Sequence, residues 1–385
     1  MMKAYAKLRS TIIENLGIDY TAAGDLLNVY FAKGTVTDSL AAFFSKYDIE
    51  LLEYQCVWLV SKLATRLHYT GIPREQFPRI KGVVKRFTVE NGLRFCELPG
   101  ILEAFNKASI PVMLLNGAAM KVFYEPSETR YQNDIDVLVS AENVKKAEAL
   151  LEKQDFRMQS TFWEQSVYQK NDVRVVVHSS YLRANVLSGV FADIWQNSRE
   201  ISWRGKKVFV PYPEMMLLIL LVQGLEACCL RISDCRANHF INVFLDIKYI
   251  LDSSALRWSR FMDLVQKGRL TLHARLMLDV LNQLYPGLVK KELLEALLFT
   301  DREIANVQRL VSYHVSRLQV TDARNRRNRM GYYCNSIAAL WNLNCYYGNR
   351  SSLFSNIIDF PKFITIWNNK KGIKGLFSKL GGYNK

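Results

Sequence analysis

With 385 residues, 49% of them hydrophobic and 23% charged, the chain is long and apolar enough to bury a sizeable core, and its composition excludes an intrinsically disordered class. A formal net charge of +15 points to anionic partners, namely nucleic acid, nucleotides or a lipid surface. Seven cysteines with no CxxC pair, and no matching His spacing around Cys228, Cys229 and Cys235, argue against a zinc site and for a reduced compartment.

The opening MMKAYAKLRSTIIENLG is polar and periodic, without the apolar centre of a signal peptide. The longest apolar run, residues 215–225, is too short to span a bilayer. The expectation is a cytoplasmic protein, with peripheral attachment to a membrane left open. Residues 1–98 read as a helical region: apolar residues recur at helical spacing in 40–44 and 51–67. GIPREQFPRIKG, from Gly71, reads as a loop, and a helical pattern resumes over 83–107 with a break at Pro99-Gly100.

The texture changes at Ile110. PVMLL is a short apolar run ended by Asn116-Gly117, residues 118–124 look helical, and EPSETRYQN is a loop. Residues 135–139 form a second strand, and Ser140 is placed as the N-cap of the helix that follows. FRMQS, SVYQK and VRVVVHS then read as three strands, with Asn171-Asp172 as a hairpin turn between the last two. From Pro211 the chain is helical again, most clearly over 215–225 and 240–251. The expected division is therefore a helical region (1–98), an α/β core (99–210) and a helical C-terminal region with a basic tail (211–385).

NDIDVLV raises the sharpest question, because Asp134 and Asp136 sit inside an apolar strand. Residues i and i+2 share a face of a strand, so both carboxylates project together while Ile135 and Val137 face away. Adjacent carboxylates repel unless a cation lies between them, and Mg²⁺ or Mn²⁺ is the natural occupant for oxygen donors. The plainer reading is a strand end with Asp134 in a turn and Asp136 bonded to backbone. Two further features favour the first. Gly117 ends a strand and opens a helix, where backbone N–H groups meet a phosphate, and Arg130 precedes the aspartates as a phosphate fork.

The stretch LLNGAAMKVFYEPSETRYQNDIDVLVSAENVKKAEALLEKQDF resembles the signature of the nucleotidyltransferase superfamily, the polymerase-β-like fold, and more narrowly the bacterial family of uncharacterised nucleotidyltransferases. VVVHSS, VFVPYPEMMLLILL and FINVFLDIKYIL extend the resemblance to roughly residues 90–255. It implies an α+β fold, a small mixed-sheet core flanked by N- and C-terminal helical regions. It also implies metal-dependent transfer of a nucleoside monophosphate from a nucleoside triphosphate to a hydroxyl. On that reading Asp134 and Asp136 bind the metal, Gly117 and Ala118 hold the triphosphate by backbone, and Arg130 neutralises phosphate charge.

Three positions depart from the pattern. Asn116 stands where the family has lysine, Ala118 where the superfamily has serine, and Val176 where a third carboxylate belongs. Alternation puts Arg174 and His178 on the face of Val176. Arg174 is a candidate for the missing lysine's charge, and His178 for substrate orientation or general base catalysis. Glu164 and Asp172 are the substitute acids at hand, and Asp246, mid-helix among apolar residues, needs a partner.

Residues 301–385 carry fourteen Lys/Arg against four Asp/Glu. Within them TDARNRRNRM, followed by tyrosines, reads either as a single-stranded nucleic acid contact or as an interhelical loop. FITIWNNKKGIKGLFSKLGGYNK reads as a loose tail or a membrane-surface contact. Three functions stay open: an active nucleotidyltransferase, a degenerate relative that binds nucleotide or a partner, and a basic adaptor for RNA or membrane.

Overall fold

The computed structural model describes residues 2–16, 22–31, 36–124, 130, 132–162, 165–181, 189–229, 236–305 and 307–308. Helices α1 (Met2–Leu16), α2 (Ala22–Phe31), α3 (Val36–Lys46) and α4 (Tyr54–Arg66) precede a long helix α5 (Phe77–Lys107). Strand β1 (Met113–Leu114), helix α6 (Asn116–Met120), strand β2 (Ile135–Leu138) and helix α7 (Val144–Glu152) follow. Strands β3 (Arg157–Phe162), β4 (Gln165–Lys170), β5 (Val173–His178), β6 (Ser198–Trp203) and β7 (Lys206–Pro211) complete one mixed sheet of order β3-β4-β5-β2-β1-β7-β6. Helices α8 (Pro213–Cys229), α9 (Arg236–Leu251), α10 (Trp258–Lys267), α11 (Thr271–Leu284) and α12 (Lys291–Ala296) close the described chain. The architecture is the expected α+β arrangement of a mixed sheet with helical flanks.

The loop expected from Gly71 is shorter than its sequence suggests, and α5 runs unbroken through Pro99. Proline inside a helix costs about 3 kcal/mol. Leu98, Ile101, Leu102 and Phe105 are all fully buried on the second half of α5. At about 1.5–3 kcal/mol for each buried side chain, that packing outweighs the loss. Ser140 does not cap a helix N–H. Its hydroxyl accepts from Asn143 Nδ2 (2.8 Å) ahead of a short 3₁₀ turn, and α7 begins only at Val144.

The β-branched run of β5 pairs parallel with β2, setting Asp136 beside Val176 and Leu138 beside His178. Antiparallel pairing on the other side of β5 sets Ser166 opposite Val177 and Val167 opposite Val176. Alternation then sorts the sheet into two faces. Ile135, Val137, Val175 and Val177 lie on the face that α7 covers, as Glu148 of α7 accepts from Ser166 Oγ at 2.6 Å. Asp136, Val176 and His178 lie on the opposite face.

The hairpin β6–β7 is an addition to the five strands expected from sequence. Its turn, Arg204-Gly205, has φ of +47° and +78°, the two positive angles of a type I′ connection. Helix α8 is apolar on every side, and residues 215–222 are buried without exception. It is surrounded by α1, α9, α10 and α11, while α2 and α4 pack on α9. The N-terminal and C-terminal helices thus pack on each other. No helix among the described residues is long and apolar enough to cross a membrane. TDARNRRNRM, the lysine-rich C-terminal stretch and Glu164 lie outside the described residues.

Candidate active site

Asp136 sits in the middle of β2 and is 7% exposed. Both of its carboxylate oxygens are engaged. Oδ1 lies 2.7 Å from His178 Nε2, and Oδ2 accepts from Asn116 Nδ2 at 3.0 Å. Parallel pairing of β2 and β5 delivers His178 to Asp136 from two residues beyond Val176. His178 is 3% exposed, and its Nδ1 has no partner among the described residues.

Asp134 lies one residue before β2 and is half-buried. Its backbone carbonyl accepts from Gln132 Nε2. Its carboxylate has no hydrogen bond or ion pair among the described residues. Burial first, and the Asp136 charge second, push the Asp134 pKa up to about 6, against the pull of Arg174, His178 and Arg130. Two desolvated carboxylates side by side favour a proton or a cation on the pair.

The register continues to Arg174, two residues before Val176 on the same face as Asp134. Arg174 is exposed and forms no ion pair among the described residues. Val176, 4% exposed, pairs with Asp136 in the register, so a valine and not a carboxylate stands beside Asp136. Asp172 sits in the exposed turn at the far end of β5 from His178, so it does not complete the set. No group of three His, Cys, Asp or Glu side chains suited to a metal ion occurs among the described residues.

The loop before β2 is anchored from three sides. Arg130 forms a bidentate pair with Asp246 of α9, Nη2 to Oδ2 at 2.6 Å and Nε to Oδ1 at 2.9 Å, and Tyr124 Oη donates to Asp246 Oδ1 at 2.7 Å. Asn91 of α5 donates to the Arg130 carbonyl at 2.8 Å. Burial works against the Arg130 charge, yet the Asp246 carboxylate holds its pKa above the usual arginine value. Burial, with Asp246 next, likewise lifts the Tyr124 phenol far above its ordinary range. Lys62 of α4 stands over the rings of Tyr124 and Tyr249 at 4.6 and 5.0 Å.

Gly117 is required by this arrangement. A Cβ there would stand 2.1 Å from Arg130 Nη1 and 2.5 Å from Gln132 Oε1. Arg130 and Gln132 thus close over the Gly117 Cα, and Ala118 beside it is fully buried. Asn116 begins α6 at φ +47°, a left-handed conformation that asparagine tolerates better than most residues. Its Oδ1 accepts from Tyr181 Oη and from Gln223 Nε2 (3.1 Å), and Gln223 Nε2 also donates to Tyr181 Oη (2.8 Å). Asp134, Asp136, His178, Asn116, Gly117, Ala118, Arg130 and Arg174 therefore fall in one region. Tyr181, Gln223, Tyr124 and Gln132 belong to it as well and carry no sequence signal. Asp246 had one, as a buried acid in need of a partner.

A family model described as uncharacterised nucleotidyltransferase matches residues 58–286, more than half of the chain. No curated protein matches it. Among solved structures, the antibiotic-resistance factor ANT(2'')-Ia is 16% identical, with 45% of this chain and 89% of that one covered at a TM-score of 0.35. The lincomycin-bound lincosamide antibiotic adenylyltransferase LnuA is 18% identical, with 40% and 95% covered at 0.29. An antigenic nucleotidyltransferase-like protein from Paracoccidioides brasiliensis is 17% identical, with 51% and 88% covered at 0.33. The chain belongs to the family of uncharacterised nucleotidyltransferases.

Proposed function

We propose that this nucleotidyltransferase is metal-dependent and transfers a nucleoside monophosphate from a nucleoside triphosphate to a hydroxyl acceptor, with Asp134 and Asp136 as the metal ligands. The observation that carries the reading is the carboxylate pair itself. Asp134 is desolvated, lacks a counter-ion among the described residues and has its pKa raised to about 6 by burial and by Asp136. The donor set fits Mg²⁺ or Mn²⁺. Such ions take hard oxygen ligands and are commonly held by one or two carboxylates together with substrate phosphates. A bound ion would neutralise the pair and polarise the phosphoryl group.

The chain's own residues divide the remaining work. Asn116 and His178 hold Asp136 from its two oxygens. His178, with Nε2 committed to Asp136 and the ring enclosed, acts as an orienting group. Arg174, exposed and without an ion pair among the described residues, neutralises phosphate charge at the edge of the pair. Arg130, its charge met by Asp246, fixes the loop beside Gly117, next to the backbone of Gly117 and Ala118 on which the triphosphate would lie. The acceptor hydroxyl attacks the α-phosphorus, pyrophosphate leaves with the electrons of the broken P–O bond, and the hydroxyl proton passes to solvent. Catalysis of this kind rests on position and charge.

The test is incubation with Mg²⁺ or Mn²⁺ and each labelled nucleoside triphosphate, comparing the wild type with the Asp134→Asn/Asp136→Asn double variant. Metal-dependent thermal stabilisation and label transfer, both lost in the variant, are the expected result. A second reading is favoured by Val176: a degenerate site that binds nucleotide without transferring it. It predicts stabilisation by metal and nucleotide with no label transfer to any acceptor.

A further inference from the structure

We propose that Tyr181 and Gln223 are positioning residues of this site, acting through Asn116 to set the orientation of Asp136. The inference rests on the metal reading above and extends it to two residues that lie outside the Gly…Arg…Asp-x-Asp pattern.

The argument is one of donors and acceptors. An amide has one acceptor end and one donor end. Asn116 Oδ1 accepts from both Tyr181 Oη and Gln223 Nε2, which uses both of its lone pairs. The NH₂ end is thereby turned toward Asp136 Oδ2, 3.0 Å away. The opposite flip would set the Asn116 carbonyl against the Asp136 carboxylate, acceptor against acceptor. Gln223 also donates to Tyr181 Oη at 2.8 Å, so the three side chains form a closed triangle in which two of the three hydrogen bonds end on Asn116 Oδ1. Asp136 then receives one N–H from Asn116, while His178 Nε2 meets its other oxygen.

The network has two structural consequences. Asn116 is held at φ +47° by three hydrogen bonds, so its unusual backbone is fixed by contacts on both sides of the side chain. Gln223 belongs to α8, outside the sheet, so the seating of that apolar helix sets the rotamer of a residue on β2. Partners one layer behind the ligands of a metal usually govern its affinity by about 10–100-fold.

The experiment measures Mn²⁺ binding alone, by electron paramagnetic resonance, on the full chain. It compares wild type, Tyr181→Phe, Gln223→Leu and Gln223→Glu. The last keeps the shape of the side chain and removes its donor. Metal-free melting curves are recorded for each. A purely structural role would lower the melting temperature and leave Mn²⁺ affinity alone. The expected result is weaker Mn²⁺ binding, by about 10-fold or more, in Tyr181→Phe and in at least one Gln223 variant that melts cooperatively. Mn²⁺ affinity within twofold of wild type in the folded variants overturns the inference and leaves the metal reading intact. Wild-type protein that binds no Mn²⁺, or binds it equally well as Asp134→Asn, overturns the metal reading and this inference with it.

Discussion

Replacing Asp134 by asparagine should make the metal-free protein more stable, which is unusual for the removal of a site residue. The Asp134 pKa stands at about 6, against 3.8 as its ordinary value. Two units correspond to roughly 3 kcal/mol at most, at about 1.4 kcal/mol per unit. The sign follows from proton counting. Between pH 4 and 6 the folded protein holds a proton on Asp134 that the unfolded chain has released, so stability falls as the pH rises through that window. Above pH 6 the loss is complete, and the ionised carboxylate remains a penalty. Asparagine has the same shape and no charge, so it removes both the desolvation and the repulsion from Asp136. Melting in EDTA from pH 4 to 8 is the assay. Asp134→Asn should melt a few degrees above wild type at pH 7.5, with the gap closing toward pH 4. Saturating Mn²⁺ should raise wild type and leave the variant unmoved. A metal-free variant that melts at or below wild type at pH 7.5 would refute the claim that burial and Asp136 destabilise the Asp134 anion in the folded chain.

Gly117→Ala should destabilise by about 1–3 kcal/mol in urea titration, because its Cβ would stand 2.1 Å from Arg130 Nη1 and force the guanidinium off Asp246. Asp246→Asn leaves Arg130 buried without its counter-charge and should cost about 3–5 kcal/mol in the same measurement. Arg174→Gln should leave stability within about 0.5 kcal/mol, as the side chain is exposed and without an ion pair among the described residues. The same substitution should weaken the thermal stabilisation given by Mg²⁺ with nucleoside triphosphate and reduce its dependence on salt. Unchanged stabilisation would remove Arg174 from the site.

Much of the sheet was legible because its signals are local. VRVVVHS is β-branched throughout, Asn171 takes the positive φ that a tight hairpin demands, and NDIDVLV places two acids on one face by alternation. Length was harder to read where burial overrides propensity, as in α5, where Pro99 is carried by the buried residues on either side. The pair β6–β7 escaped notice although ISWRGKKVFV alternates around Arg204-Gly205, the same kind of turn signal that revealed β4–β5. The contacts behind the site had no such signal. Asn91, Tyr181 and Gln223 are ordinary polar residues, and only the fold brings them within bonding distance of residues 39, 65 and 107 positions away. Asp246 was the exception, since a fully buried acid in an apolar helix requires a partner, and Arg130 supplies it.

The three departures from the superfamily pattern become coherent when placed in the fold. A lysine at 116 would have no acceptor for Tyr181 Oη and Gln223 Nε2, so Asn116 and those two residues form one unit. Ala118 is fully enclosed, where a serine hydroxyl would need a partner of its own. An acid at 176 would stand one strand spacing from Asp136, adding a third charge where burial, and Asp136 after it, already lift the Asp134 pKa to about 6. Valine there keeps a third negative charge away from Asp134 and Asp136. On the proposed reading, the two carboxylates would share one divalent ion, and Arg174 rather than the Asp246-paired Arg130 would supply positive charge toward a triphosphate.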